Sequence, residues 1–420
     1  MSKSRLMLCA LFVTLCLSTL HAAPPPAIPQ QVAELTPSQR ANNDWFGYSI
    51  AISGNTVVVG AFDANIEKFG TVYVYVKPDN GWTDMTQVAI LTSSDSGEGF
   101  GTSVAISGNT IVVGAANTSN FEAPTATPGA AYVFVRPAGG WADMTETAKL
   151  TASDGQPGDA FGNSVSIEGN TIAVGAFFAT DAANNSFAGK AYVFVRPNSG
   201  WTGNLNQTAI LTASDSQLLN YMGASIATNG NTVVVGAYGH NNFQGAAYVF
   251  VKSPTGWTSI TETAQLTASD GKGSSDFAFS TSMSGDTVVF GTPGAAQFKG
   301  AAYIFVKPPT GWTTMTETAK LHAANAIQGD SFGQSAGISG NIVVIGAPGA
   351  VVGANQGQGA AYVFTKPKNG WRNSSKATQL TANDGAPNDN LGLSAAISRN
   401  TIVTGATASN APGKAYVFAP

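Results

Sequence analysis

The sequence predicts an all-β fold, a seven-bladed β-propeller of four-stranded antiparallel blades, closed by the N-terminal strand completing the last blade. Three observations predict it. A unit recurs seven times at intervals of 55 to 61 residues and leaves almost nothing outside the array. Each copy but the last holds four short runs, most of them rich in Val, Ile, Tyr and Phe, bounded by Gly-rich turns. The last copy stops after its third run at Pro420, while a spare run at residues 31–36 precedes the first copy. Units that are apolar on both faces must stack on like neighbours, and closing them into a ring leaves only short, protected edges.

The landmarks of the unit fix its register. The leucine of a Leu-Thr pair recurs as Leu35, Leu91, Leu150, Leu211, Leu266, Leu321 and Leu380. A Phe-Gly pair follows, as in Phe46-Gly47, Phe100-Gly101, Phe161-Gly162 and Phe332-Gly333, with Met222-Gly223, Phe277-Ala278 and Leu391-Gly392 as variants. Tyrosine occupies one column in all seven copies, and a Gly-Trp pair another in six. In the third copy, residues 164–167 and 171–176 read as two strands joined by the Glu168-Gly169-Asn170 turn, a hairpin signature. Residues 190–196 form the third strand, with Tyr192 and Phe194 on one face and Val193 and Val195 on the other. A strand apolar on both faces is buried on both. The fourth runs from about 206 to 212. Its counterparts carry charge, as in Glu146 and Lys149, which suits an exposed outer edge guarded against pairing.

The ends carry different information. Lys3 and Arg5 precede an apolar stretch at residues 6–20, with Ala22 and Ala23 as small residues for cleavage. Residues 1–22 therefore read as a secretory signal peptide, too short to span a membrane comfortably. Residues 23–30 form a Pro-rich linker and residues 31–420 the propeller. Both cysteines, Cys9 and Cys16, lie in the signal, so the mature chain has no disulfide, thiolate metal site or cysteine nucleophile. Without Lys3 and Arg5 the chain has 18 basic against 24 acidic residues, a net charge of −6 that speaks against nucleic acid and anionic membranes as partners. Beyond residue 20 no apolar run reaches the length of a membrane span.

Strands alternate in direction, so the turns divide between two faces. One face is nearly invariant. It holds the Gly-Asn hairpins and a ring of Lys77, Arg136, Arg196, Lys252, Lys307 and Lys366, and such uniform repetition reads as a structural device. The other face varies: the loops at 62–69, 116–128, 177–188, 238–244 and 348–358 differ in length and composition. Variation confined to one face of a repeat array marks a binding face. The same rim is acidic. Asp95, Asp154, Asp215, Asp270 and Asp384 lie four residues after the leucine, and Asp44, Glu98, Asp159, Asp330 and Asp389 two before the Phe-Gly position. These columns suit either Asx turns or a surface for a cation or basic ligand. Phe121, Phe178, Phe187, Tyr221, Tyr238 and Phe243 are candidate aromatic contacts, with His240 beside them.

The Phe-Gly columns, the Gly346-Ala347-Pro348 motif, the recurring Gly-x-x-Tyr-Val-Phe strand and Gly-Trp together resemble the FG-GAP repeat of integrin α-subunit propellers and secreted bacterial proteins. The resemblance covers residues 31–420. It implies the propeller and leaves the ligand open. Integrin propellers carry calcium loops of the Asp-x-Asp-x-Asp-Gly type; here that position reads Ser107-Gly108-Asn109 or its equivalent, so no calcium or other cofactor is expected from it. The mature chain has two histidines, His240 and His322, in different units, and contains no nucleophile elbow, phosphate loop or zinc-protease motif. The expectation is a secreted, non-enzymatic propeller that recognises an extracellular or periplasmic protein or glycan, in adhesion or surface recognition. The alternatives are a hydrolase with paired carboxylates at the channel mouth and a structural envelope or matrix component.

Overall fold

The structure, a computed structural model, describes residues 28–39, 44–62, 70–95, 97, 99–117, 127–407 and 412–420. Residues 1–22, read as a signal peptide, most of the expected linker, Glu98, Phe121 and parts of the loops at 62–69 and 116–128 lie outside them. Seven sheets are arranged as seven blades. In the third, Phe161–Glu168, Thr171–Ala176, Lys190–Val195 and Ala209–Thr212 pair antiparallel in that order. The first strand begins earlier than its apolar run suggests. It takes in Phe161, with a bulge between Phe161 and Ser164. Ring closure is as expected: Gln30–Thr36 pairs antiparallel with Lys414–Ala419, supplying the fourth strand of the seventh blade.

The first strand of every blade is innermost and lines the central channel. The third strand is buried on both faces, as its pattern requires. Each apolar core therefore lies between two blades. One example joins Val112, Val133 and Leu150 of the second blade to Phe161, Val174, Tyr192, Phe194 and Trp201 of the third. The first residue of the Phe-Gly pair is the wedge of each core, a phenylalanine in five blades, Met222 in the fourth and Leu391 in the seventh. Phe161 meets Tyr192 edge-on with ring centroids 5.3 Å apart, and Phe100–Tyr132, Phe277–Tyr303 and Phe332–Tyr362 repeat the contact at 5.5–5.6 Å. Such edge-to-face pairs each add about 1 kcal/mol beyond their burial.

Two serine-based rings sew the blades together. The serine three residues after each wedge, such as Ser164, donates its hydroxyl to the carbonyl of the Phe-Gly glycine (or Ala278) of the next blade. All seven bonds form, at 2.6–2.9 Å, and Ser394 to Gly47 closes the circle. The same approach explains the glycine of Gly-Ala. A Cβ on Gly175 would lie 2.9 Å from the carbonyl carbon of Gly223 and closer still to its oxygen. The glycine of Phe-Gly answers a different need, since this position adopts positive φ throughout, from 64° at Ala278 to 103° at Gly333. A second ring, interrupted from the third blade to the fifth, joins the hairpin tips, where Ser53, Ser107, Ser284, Ser339 and Ser398 each accept a backbone N–H of the next hairpin.

The outer edge departs from expectation. The run at 206–212 is divided: Gly203–Asn206 leaves its own blade and pairs parallel with Ala148–Thr151 of the preceding one. Four other blades are covered in the same way, by Met85–Thr86, Met144–Thr145, Ile260–Thr261 and Met315–Thr316. The charged residues here are therefore clasps and not edge guards. Asp143 accepts the backbone N–H of Ile90 at 2.7 Å, and Glu146, Glu262 and Glu317 each bind the N–H and hydroxyl of a serine in the preceding blade. The geometry satisfies outward-facing backbone donors that an open edge would leave to water.

Candidate functional site

The predicted acidic rim resolves into two sets of internal partners. Four of the five aspartates that lie four residues after the leucine reach across to the buried tyrosine of the next blade. Tyr132, Tyr248, Tyr303 and Tyr416 donate their hydroxyls to Asp95, Asp215, Asp270 and Asp384 at 2.6–2.9 Å. A cation completes each site: Lys149 on Asp95, Lys190 on Asp154 at 2.8 Å, Lys320 on Asp270 and Lys414 on Asp384. On Asp215 the histidine His240 stands where the other sites have a lysine, with Nε2 3.0 Å from the carboxylate. In the sixth blade Asn325 receives Tyr362 instead. Burial and the neighbouring carboxylate raise the tyrosines, so they stay protonated and donate. The hydrogen bond to His240, opposed by burial and reinforced by Tyr248 and Gln265, draws the Asp215 carboxyl down to about 2.

The second acidic column builds its own loops. Asp159, Asp330 and Asp389 accept the backbone N–H three residues earlier, from Gln156, Ile327 and Ala386, at 2.7–2.9 Å. Asp44 accepts that of Phe46. Asp159 and Asp330 are buried, and burial raises both carboxyls despite those N–H bonds. Asp44, which binds two residues ahead, makes the expected Asx turn, whereas the other three bind three residues back and close their own loops. Nor does the hairpin face fit a calcium ion. Its turn serines are spent on neighbouring N–H groups, and Asp286 pairs with Lys307 at 3.4 Å. Among the described residues no three His, Cys, Asp or Glu side chains form a metal-binding group, and no helix is long and apolar enough to cross a membrane.

The aromatic candidates behave differently, for the ring brings them together. Phe178 packs on Phe187 at 5.2 Å and on Tyr221 at 5.9 Å; Tyr221 stacks on Tyr238 at 5.1 Å and 16°; Phe243 lies 6.2 Å from both tyrosines. Two residues that the sequence reading did not single out extend the group. Phe177 lies against Phe178 at 3.8 Å, and Phe279 meets Tyr238 at 5.6 Å. The result is one aromatic arc across the third, fourth and fifth blades on the variable face.

The arc borders the channel mouth. A recess of about 300 Å³ is lined there by Tyr48, Thr102, Asn163, Ala224, Phe279, Gln334 and Leu393, one from each blade, with Phe177 and Tyr238 above them. Each of the seven follows its wedge position by two residues, a column in which every copy differs. That disagreement inside an otherwise uniform strand was the sequence signal for Phe279 and Tyr48. The opposite mouth is a wider funnel of about 600 Å³, lined by the first strands, with Ser53, Ser107, Ser166 and Glu168 at its rim. Backbone strain adds a second mark. Phe187, Phe243 and Phe298 hold φ of 56°, 62° and 62° at a position where the sixth blade uses Gly357, and the first two belong to the arc. An aromatic in the left-handed region costs roughly 1–2 kcal/mol over glycine, and Phe187 remains 36% exposed.

A family model described as the FG-GAP repeat matches seven segments, residues 29–75, 85–134, 144–194, 205–250, 260–305, 315–364 and 374–418. No curated protein matches the chain. Each segment ends in a blade's third strand, and together the seven take in every wedge, every sewing serine and every close-approach glycine described above. This chain belongs to the FG-GAP repeat family.

Proposed function

We propose that this protein is a secreted, non-enzymatic binding propeller that recognises a protein or glycan ligand through the variable face, in adhesion or surface recognition. The observation that carries the reading is the aromatic arc at the channel mouth. Aromatic anchors dominate recognition surfaces because they bury much area at little entropic cost. Here they form one arc across three blades, from which Phe177, Tyr238 and Phe279 line the recess, while the aspartates first in view for this role are engaged within the fold. Two of the three phenylalanines held in a strained backbone conformation belong to the arc, which supports the same face.

The lining of the channel favours binding over hydrolysis. Glycoside hydrolysis requires two carboxylates facing each other. Among the described residues that line the two mouths, Glu168 is the one carboxylate. The test is a screen of extracellular proteins and glycans against the wild-type chain, Tyr221→Ala, Phe178→Ala, and Arg136→Glu as a control on the opposite face. The reading expects one ligand whose binding falls with the two aromatic variants and survives the control. Loss of binding in the control alone would overturn it.

A further inference from the structure

We infer that the recess at the variable mouth of the channel is a saccharide site that takes an uncharged sugar ring. The inference rests on the binding reading above and names its ligand class. Its first support is the division of the lining. Tyr48, Phe177, Tyr238 and Phe279 present aromatic surface, whereas Thr102, Asn163 and Gln334 present neutral polar groups. A pyranose has the matching division. Its C–H face carries a slight positive charge that suits the negative face of an aromatic ring, and its hydroxyls both donate and accept, as side-chain amides do.

The second support is the state of those polar groups. Asn163 spends one N–H on the carbonyl of Ala224 at 3.1 Å, and Thr102 donates to Gly99 at 2.6 Å. The remaining capacity of Asn163 and the Gln334 amide have no partner among the described residues, and both side chains are half-buried at the mouth. Among the described residues no charged side chain lines the recess. A uronate or sulfate would therefore lose its hydration without gaining a cation, a cost that an uncharged sugar avoids. Burial raises the phenol of Tyr238 to about 12, so this group also stays neutral and can donate. The volume, about 300 Å³, lies at the small end of ligand pockets and has room for roughly one or two sugar rings.

The test uses the full chain. Isothermal titration with cellobiose, maltose and chitobiose is compared with glucuronate and sulfated disaccharides, for the wild type, Phe279→Ala and Gln334→Ala, with circular dichroism to verify folding. At least one neutral disaccharide should bind, each variant should weaken it by about tenfold, and the anionic sugars should bind more weakly. Saccharide binding that ignores both variants, or that is equal for anionic sugars, overturns the inference. A protein ligand that is lost with Phe279→Ala while no neutral sugar binds also overturns it, and leaves the variable-face reading standing.

Discussion

The Gly-Ala glycine offers a prediction whose sign separates two explanations. Gly175 has an ordinary, negative φ, so alanine there meets no backbone penalty. Were the residue a mere relic of turn flexibility, Gly175→Ala would stabilise by about 0.4–1 kcal/mol through the unfolded chain. The structure predicts the opposite. The new methyl would occupy the space held by the Gly223 carbonyl and the Ser164 hydroxyl, the pair that sews the third blade to the fourth. Overpacking of this kind costs about 1–3 kcal/mol, and breaking the serine bond adds roughly 0.5–1.5 kcal/mol. After the unfolded-state gain, a net loss of about 2–3 kcal/mol remains. At roughly 2.1 cal/mol/K per residue over about 390 residues, that lowers Tm by about 3 °C. Calorimetry on wild type and variant reads it directly. The hairpin variant Gly169→Ala is the control: nothing lies within 4 Å of its Cβ, and its φ of 56° predicts only the left-handed penalty of about 1 kcal/mol. A Tm for Gly175→Ala at or above the wild-type value would refute the close-approach argument.

Other consequences are as open to measurement. Ser164→Ala should cost about 1–2 kcal/mol, since a buried carbonyl loses its donor, and chemical denaturation should show it without a change in spectrum. Asp215 is held below its ordinary value, so its contribution is full above that value and is lost as pH falls from about 3.8 towards about 2. Asp215→Asn should accordingly flatten the acid limb of a Tm-against-pH curve, modestly because the carboxylate is 38% exposed. Phe187→Asn should cost less than about 1 kcal/mol, because asparagine tolerates its left-handed backbone, yet it should weaken ligand capture. Deletion of residues 1–36 removes the strand that pairs with Lys414–Ala419; gel filtration should then show an opened ring that associates through its bare edge.

Much of the fold was legible because a propeller repeats its instructions. The wedge phenylalanines, the tyrosine column and the split seventh blade each mark a position in a unit, and seven copies make the period unmistakable. The serine ring was legible in principle, since a serine follows every wedge by three residues, but its meaning was not. Ser164 meets a carbonyl 59 residues away and Ser394 one 347 residues away, and a repeat pattern states what recurs without stating what it touches.

The sequence by itself determined the blade count, the strand order, the manner of closure and the face on which copies differ. These follow from local periodicity and from the need to bury strands that are apolar on both sides. Only the tertiary structure decided the fate of the charged columns. Asp154 and Glu146 read as rim and edge residues along the chain, but the neighbouring blade supplies a lysine to one and a serine backbone to the other. It also decided where the aromatics meet. Phe177, Tyr238 and Phe279 belong to three different copies, and only the curvature of the ring turns their strand ends towards one recess. The physical reason is common to both. Contacts between blades join residues about one repeat apart, and those distances are set by closure of the circle, which no single unit encodes.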